Sequence, residues 1–564
     1  MSDRSSIRGV APVSLAVAAG IALADASIVT LGLPSILVEL NATVEGVALV
    51  LGVYTAVLAL ALIPAAWLCR RYGDAHVGAA GFGLFLAASL GCGASDSLGL
   101  LLVLRGVQAL GAAAGLIAAF ELLDGGRPGS GRRMWVAASV FGIAVGPALG
   151  GALTQAFSWR AIFLAQAPIV LPGLLVAWQV ARTETTAAGP GREAGGASSR
   201  LPVRPAIALA LLSASLTAVI FLVVLLLVSG WSIEPLAAAL AVSVLPVAAI
   251  VSSRLPGGSE TRAIAGCLLV AGGVGCLALL PGASAWWTVI PQVLAGAGMG
   301  MALPALSGEL IPERTRYDVA RLLSIRHAGI AIALAALAPL ISSNLTSTID
   351  TAREQGTAAV LDARLPPENK IEIAPDLFGG LNTDDPRGEL QKSIAKARGG
   401  LGADQATELD HLGDRLDDVV TGAIRSAFRP TFIVTAALAL LAALILLSGA
   451  LVPGAITRPA VTAAAIAALA AAAGYGVAYA SSSRETVQIG DPCQDRQLPD
   501  TGGIGGALQD LSLSALDRAA CSFGSSREEL LLALFDDRLQ HKFEQEHGVN
   551  PRSIFALGPA LLGL

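Results

Sequence analysis

The sequence predicts an all-α membrane protein: two six-helix bundles, one extra C-terminal span, and an extracytoplasmic loop and tail. Three observations carry this. Of 564 residues, 54% are hydrophobic and only 14% charged, against roughly 25% charged in a typical soluble domain. Mean hydropathy is +0.68, too apolar for a chain that must stay in solution. Apolar runs long enough to cross a bilayer recur along the chain, interrupted in the middle by one Gly/Ala/Ser/Pro-rich linker.

A span needs about 20 mostly apolar residues, and its backbone polar groups must be satisfied internally, so each run is a helix. Thirteen are expected: 10–37, 44–68, 77–95, 97–123, 134–156, 160–182, 206–229, 235–252, 263–281, 284–308, 327–347, 428–452 and 459–481. The linker at 183–205 divides them into bundles at 1–182 and 206–452. Two such halves are the layout of repeat-built transporters. Residues 348–427 are a polar insertion with 15 acidic and 9 basic side chains. Within it, Leu409, Leu412, Leu416, Val419, Val420, Ala423 and Ile424 recur at helical spacing, predicting an amphipathic helix into the twelfth span.

Arginine placement sets the orientation. With the N-terminus cytoplasmic, inner loops would hold Arg70, Arg71, Arg127, Arg132, Arg133, Arg182, Arg192, Arg200, Arg204, Arg254, Arg262, Arg314, Arg316, Arg321, Arg326 and Arg458. The short outer loops would hold Glu39, Glu45, Asp96 and Glu234, with Arg160 the one exception. The expected place is the inner membrane, with the bilayer itself as a partner. A net charge of −5 and the lack of a basic tract give no sign of a nucleic-acid partner.

Asp25 is the only acidic residue expected well inside a span. An intramembrane carboxylate is costly and usually functional; the alternative is a polar cap at a misplaced helix end. Arg105, in the fourth span, lies about 12 Å from the outer end, and Asp25 about 18 Å, at 1.5 Å per residue. At such similar depth they can pair; the alternative for Arg105 is snorkelling outward. In the fifth span, Gly142, Gly146 and Gly150 share one face, Gly151 follows, and Pro147 removes a backbone donor. Alone, this stripe is a close-packing motif. Trp159 and Arg160 follow as an interfacial anchor.

These stretches resemble the major facilitator superfamily, most of all its fourteen-span drug:proton antiporter branch. DASIVTLGLP at 25–34 looks like that branch's first-span signature. Arg105, Gln108, Gly111, Ala112 and Ala113 are similar to the fourth-span motif, with Ala109 in place of its first Gly. GIAVGPALGG at 142–151 matches the antiporter glycine-proline motif. SWRAIFLAQAP at 158–168 resembles the segment that follows, with Gln166 where Asn is usual, and RHAGIAIALA at 326–335 extends the likeness into the second half. The loop between spans 2 and 3 departs from the family. Leu68, Arg71 and Gly73 survive, but Arg70 replaces the family's Asp, and Asp74 and Ala75 replace its basic pair. In the family that Asp latches one state by charge pairing, so Arg70 reverses the sign and Asp74 is the substitute on offer.

The resemblance implies proton-coupled efflux of small amphipathic molecules, with a small-molecule substrate and protons as partners and Asp25 and Arg105 as the coupling pair. It implies no catalytic residue, no metal and no cofactor. Nor does the sequence contain a phosphate-cradling loop, a metal-ligand cluster or a nucleophile with its base. Two alternatives stand: an envelope scaffold or receptor on a degenerate transporter body, and export of a lipid or envelope precursor.

Cys69, Cys92, Cys267 and Cys276 read as inert fillers. The tail at 482–564 has 12 acidic and 7 basic residues and holds the pair Cys493 and Cys521. A polar region this small commonly needs a staple, and a disulfide persists outside the cytoplasm. The expectation is therefore a small extracytoplasmic domain with a Cys493–Cys521 bond; two unrelated thiols are the alternative. Ser526 would cap one helix over 526–548, with Leu530, Leu531, Leu534 and Leu539 on its apolar face. Residues 348–427 or 482–564 would offer a surface to an extracytoplasmic partner.

Overall fold

The computed structural model describes residues 3–124, 134, 146–184, 201–310, 315–366, 370, 386–398, 403–448, 459–482, 487, 489–494 and 503–553. Every regular element among them is helical. Twelve helices among the described residues are long and apolar enough to cross a membrane. They correspond to all the expected spans but 134–156, of which 146–156 is described as helix. Large apolar side chains point outward from these helices: Leu60 is 78% exposed, Ile332 70% and Leu240 63%. Such a surface suits hydrocarbon.

The chain forms two compact units, the first of residues 1–229, 233–342 and 428–481. Its first half packs by backbone approach. A Cβ on Gly111 would lie 2.5 Å from Phe85 N, and one on Gly81 2.6 Å from Gly115 N. The helices Asp74–Gly93 and Leu98–Asp124 can meet this closely only with glycine at the crossing. Gly73, at φ +87°, makes the corner between Val44–Tyr72 and Asp74–Gly93. That conformation favours glycine, which accounts for its presence in an otherwise altered loop. The first span stops at Thr30 rather than running to 37: a turn follows, and Pro34 opens a short helix, Leu33–Glu39. There the Arg160 guanidinium, hydrogen-bonded to Glu39, holds its carboxyl below the usual carboxylate range.

The second half is also built on small residues. A Cβ on Gly296 would lie 2.1 Å from Leu245 O, and one on Gly298 2.3 Å from Gly266 O. The helix Pro459–Ser481 lies against Ser259–Leu277, where Ala468 meets Gly272, and Tyr475 donates to Trp287 O at 2.6 Å.

The second unit comprises residues 230–232, 343–427 and 482–564. The polar insertion and the tail thus fold together as one body. Helix Arg316–Asp362 belongs to the first unit up to Ser342 and to the second beyond it, and helix Ala403–Leu447 changes units at 427–428. Leu409, Leu412, Leu416, Val419, Val420 and Ile424 are all buried. Ion pairs join the two segments: Arg527 to Asp362 at 2.8 Å and Arg538 to Asp350 at 2.5 Å. A disulfide links Cys493 to Cys521, with Cα atoms 5.1 Å apart. Burial pushes the Lys370 amine down to about 8, while its Nζ donates to Leu361 O.

The helix expected over 526–548 is two helices, Arg527–Phe535 and Asp537–His547. Ser526 caps the first by accepting from Glu529 N. Asp536 caps the second by accepting from the backbone of Arg538 and Leu539. An Asp that satisfies two free amides starts a new helix in preference to continuing the old one. The break moves the buried face to Leu530, Leu532 and Ala533, while Leu531 and Leu534 are only half-buried.

Candidate functional site

Asp25 and Arg105 meet inside the first bundle, both with fully buried side chains, Arg105 Nη1 lying 2.6 Å from Asp25 Oδ2. The approach is not aligned as a hydrogen bond to that oxygen, so charge holds the pair. Snorkelling is thereby excluded for Arg105 in this conformation. The rest of the guanidinium is tied down: Nε donates to Val50 O at 3.0 Å and Nη1 to Gln108 Oε1 at 2.6 Å. It also stacks over the Tyr54 ring, 4.3 Å from its centroid. Tyr54 in turn donates to Ala22 O at 2.7 Å, fastening the second span to the first near Asp25.

Gln166 completes the network. Its amide donates to Asp25 Oδ1 at 2.9 Å and accepts from Gln108 Nε2 at 2.9 Å. Gln108 also donates to Ser89 Oγ at 2.8 Å. Asp25, Ser89, Arg105, Gln108 and Gln166 thus form one buried polar cluster drawn from four helices. In the sequence Gln166 stands out only as a departure from the family's Asn. The usable signal was an amide inside an apolar span, which needs partners within the protein.

Of the glycine-proline motif, Gly142 lies outside the described residues, and Pro147 sits at the start of the described part of its helix. Gly146 and Gly150 face the first span just past Asp25. A Cβ on Gly146 would lie 2.9 Å from the Ser27 Cβ, and one on Gly150 2.2 Å from Ile28 O. A Cβ on Gly151 would lie 2.3 Å from Ala239 Cβ, in the second half. Both of the first two neighbours are fixed by the backbone of the first span, but the clash at Gly150 is 0.7 Å tighter than that at Gly146 (2.2 against 2.9 Å). We expect Gly150→Ala to lower transport more than Gly146→Ala, with both variants reaching the membrane in normal amounts. Equal rates for the two in a transport assay would remove this contact from the mechanism.

A family model for the Major Facilitator Superfamily matches residues 15–314. The chain belongs to the major facilitator superfamily. It is 32% identical over 150 residues to multidrug resistance protein Stp of Mycobacterium tuberculosis, covering 26% of this chain and 28% of that one. It is 30% identical over 185 residues to the methylenomycin A resistance protein of Streptomyces coelicolor, covering 32% of this chain and 39% of the relative. The chain therefore matches well under half the length of these relatives. In structure it resembles a bacterial homolog of the human lysosomal transporter Spinster in an inward-facing, occupied conformation. The TM-score is 0.53 at 17% identity, over 78% of this chain and 96% of that one; at that identity the likeness shows the fold alone.

This member of the superfamily re-forms a charge contact with the altered loop. Arg70 and Arg71 are exposed, and Arg71 packs over Trp67 and Tyr72. Asp74 instead receives Arg316 from the second half, at 2.8 Å through Nη1 and 3.4 Å through Nη2. Arg316 Nε also lies 3.4 Å from Glu121 Oε1, so two carboxylates of the first half face one arginine of the second. At another point the halves meet through Gln155, which accepts from Leu236 N at 2.7 Å.

Between the halves lies a cavity of about 50 Å3. Ser27, Thr30, Tyr54 and Thr55 line it from the first half, and Ser213, Thr217, Arg326 and His327 from the second. Arg326 is a correction. By hydropathy it belongs to a cytoplasmic loop, because the apolar run starts at 327. The helix begins earlier, at Arg316, where Asp318 caps the chain by accepting from Thr315 N and its hydroxyl. Arg326 therefore lies within a spanning helix and faces the cavity.

Proposed function

We propose that this chain is a proton-coupled exporter of small amphipathic molecules, with Asp25 as the proton-carrying group and Arg105 as its partner. One observation carries the reading: an ion pair with no exposed side-chain surface, beside a cavity between the two halves that Asp25's own span helps to line. A buried pair adds little to stability over an apolar substitute, and intramembrane charges of this kind mark ion pathways. The relatives' printed names, multidrug resistance and methylenomycin A resistance, agree with export of toxic small molecules. Tyr54 touches Arg105 and lines the cavity, so it links the pair to the substrate path. A cavity of about 50 Å3 admits one or two waters. Substrate entry thus needs the halves to separate, breaking Asp74–Arg316 on one side and the Gln155 contacts on another. The test is efflux of a fluorescent amphipathic dye from proteoliposomes under an imposed pH gradient. A rate that ignores the gradient overturns the proposal.

Orientation is part of the same reading: N-terminus cytoplasmic, tail outside. The Cys493–Cys521 disulfide supports it, since such bonds persist in oxidising compartments. Because Cys69, Cys92, Cys267 and Cys276 are all buried, this pair dominates labelling by a membrane-impermeant maleimide. We expect labelling of intact cells only after reduction. Labelling that requires lysis and no reductant would put the tail in the cytoplasm and remove 459–481 as a crossing.

A second reading, export of a lipid or envelope precursor, draws on a groove of about 530 Å3 lined wholly by apolar residues, among them Val203, Ile207, Ile332, Leu337, Val434 and Leu438. An acyl chain suits such a lining. Transfer of a labelled lipid, in place of the dye, in the same proteoliposomes would favour it.

A further inference from the structure

We propose that Arg326 is the docking group for an anionic substrate, so that the exported molecule is an amphiphile carrying a carboxylate or similar organic oxyanion. This rests on the transport reading above and adds the substrate's charge to it. Among the described residues that line the cavity, Arg326 is the only one with a full charge, and none is acidic. Asp25 is no partner for it in this conformation, since its carboxylate is taken by Arg105 and Gln166. Among the described residues Arg326 has no hydrogen bond or ion pair, and its Nε is buried without an acceptor.

A second orphan donor stands at the same cavity. Ser213 is 3% exposed and its hydroxyl has no partner among the described residues. Its neighbours do not share this condition: Thr30 donates to Ala26 O and Thr55 to Leu51 O, both within their own helices. His327 uses Nδ1 on Leu323 O. Two unmet donors, one cationic and one neutral, thus face a space with no protein acceptor assigned to them. A carboxylate supplies what both lack. Its two oxygens match the guanidinium fork, and a charge-assisted bond of this kind is about twice as strong as a neutral one.

Depth sharpens the chemistry. Arg326 lies ten residues past the start of its helix at Arg316, about 15 Å along it at 1.5 Å per residue. An arginine held there without a counter-charge is costly, and a bound anion removes that cost. The cavity as it stands takes only the charged group. Apolar lining residues such as Leu23, Leu216, Ile220, Met299, Leu303 and Ile330 would receive the rest of the molecule once the halves part.

The experiment uses the full chain in lipid nanodiscs, with protein-free discs subtracted, and three probes: dansylglycine, its neutral methyl ester, and acetate as competitor. We expect wild type to bind dansylglycine roughly tenfold tighter than the ester, the scale of one charge-assisted contact. Arg326→Gln should bind both at the ester's affinity, and Arg326→Lys should keep part of the preference. Equal affinity of wild type for acid and ester overturns the proposal. So does a preference that survives in Arg326→Gln, or loss of both probes in Arg326→Gln and Arg326→Lys alike, which would make the residue structural. Acetate displacing dansylglycine mole for mole would mean a simple anion site and overturn the amphiphile assignment. The coupling proposal fails separately: anion-selective binding with gradient-independent efflux leaves Arg326 standing and removes Asp25 from its role.

Discussion

Asp25→Asn is expected to abolish gradient-driven efflux while leaving ligand binding within a fewfold of wild type. Asparagine keeps the shape and can still accept from Gln166, which reaches Oδ1 at 2.9 Å. It cannot take or release a proton. Its amide would also point a donor at Arg105 Nη1, which now lies 2.6 Å from Oδ2, so the guanidinium loses its counter-charge. The variant should therefore resemble a carrier fixed in one protonation state. Efflux should fall to the rate without a gradient, at every pH applied. The assay is dye efflux from proteoliposomes with the gradient imposed and then collapsed by an ionophore. A gradient response in Asp25→Asn equal to wild type would end the assignment.

Arg105→Ala should be inactive and markedly less stable, whereas Arg105→Lys should be folded and impaired. Alanine leaves Asp25 without its counter-charge, and Gln108 Oε1 and Val50 O without the guanidinium donor, in a site closed to water. Breaking a buried pair from one side typically costs about 3–5 kcal/mol. Lysine restores the charge but not the planar fork that holds two acceptors while facing the carboxylate. The double variant Asp25→Asn/Arg105→Gln separates the two roles. With neither charge left to desolvate, it should regain most of the lost thermal stability in detergent while staying uncoupled. If Arg105→Ala unfolds at the wild-type temperature and responds normally to the gradient, the arginine is no part of the coupling pair.

Much of this protein is legible in its sequence because a bilayer imposes a one-dimensional rule. A segment that must satisfy its own backbone and present apolar side chains becomes an uninterrupted apolar helix, so spans, linker and polar insertions follow from hydropathy alone. The matching depth of Asp25 and Arg105 came from helix rise. The cysteine pair stood out through compartment chemistry. Local capping was partly readable: Ser526 was, whereas Asp536, which splits the expected helix, was passed over as one acid in a charged stretch. What no periodicity carries is a partner far away in the chain. Asp74 finds Arg316 across 242 positions, and Gln166 finds Asp25 across 141. The insertion and the tail, separated by two spanning helices in sequence, share one body because their buried faces and ion pairs complement each other only once folded. Arg326 shows the limit best. By composition it ends a basic loop, and only helix packing turns it toward the cavity, because side-chain burial is a property of the neighbours and not of the residue itself.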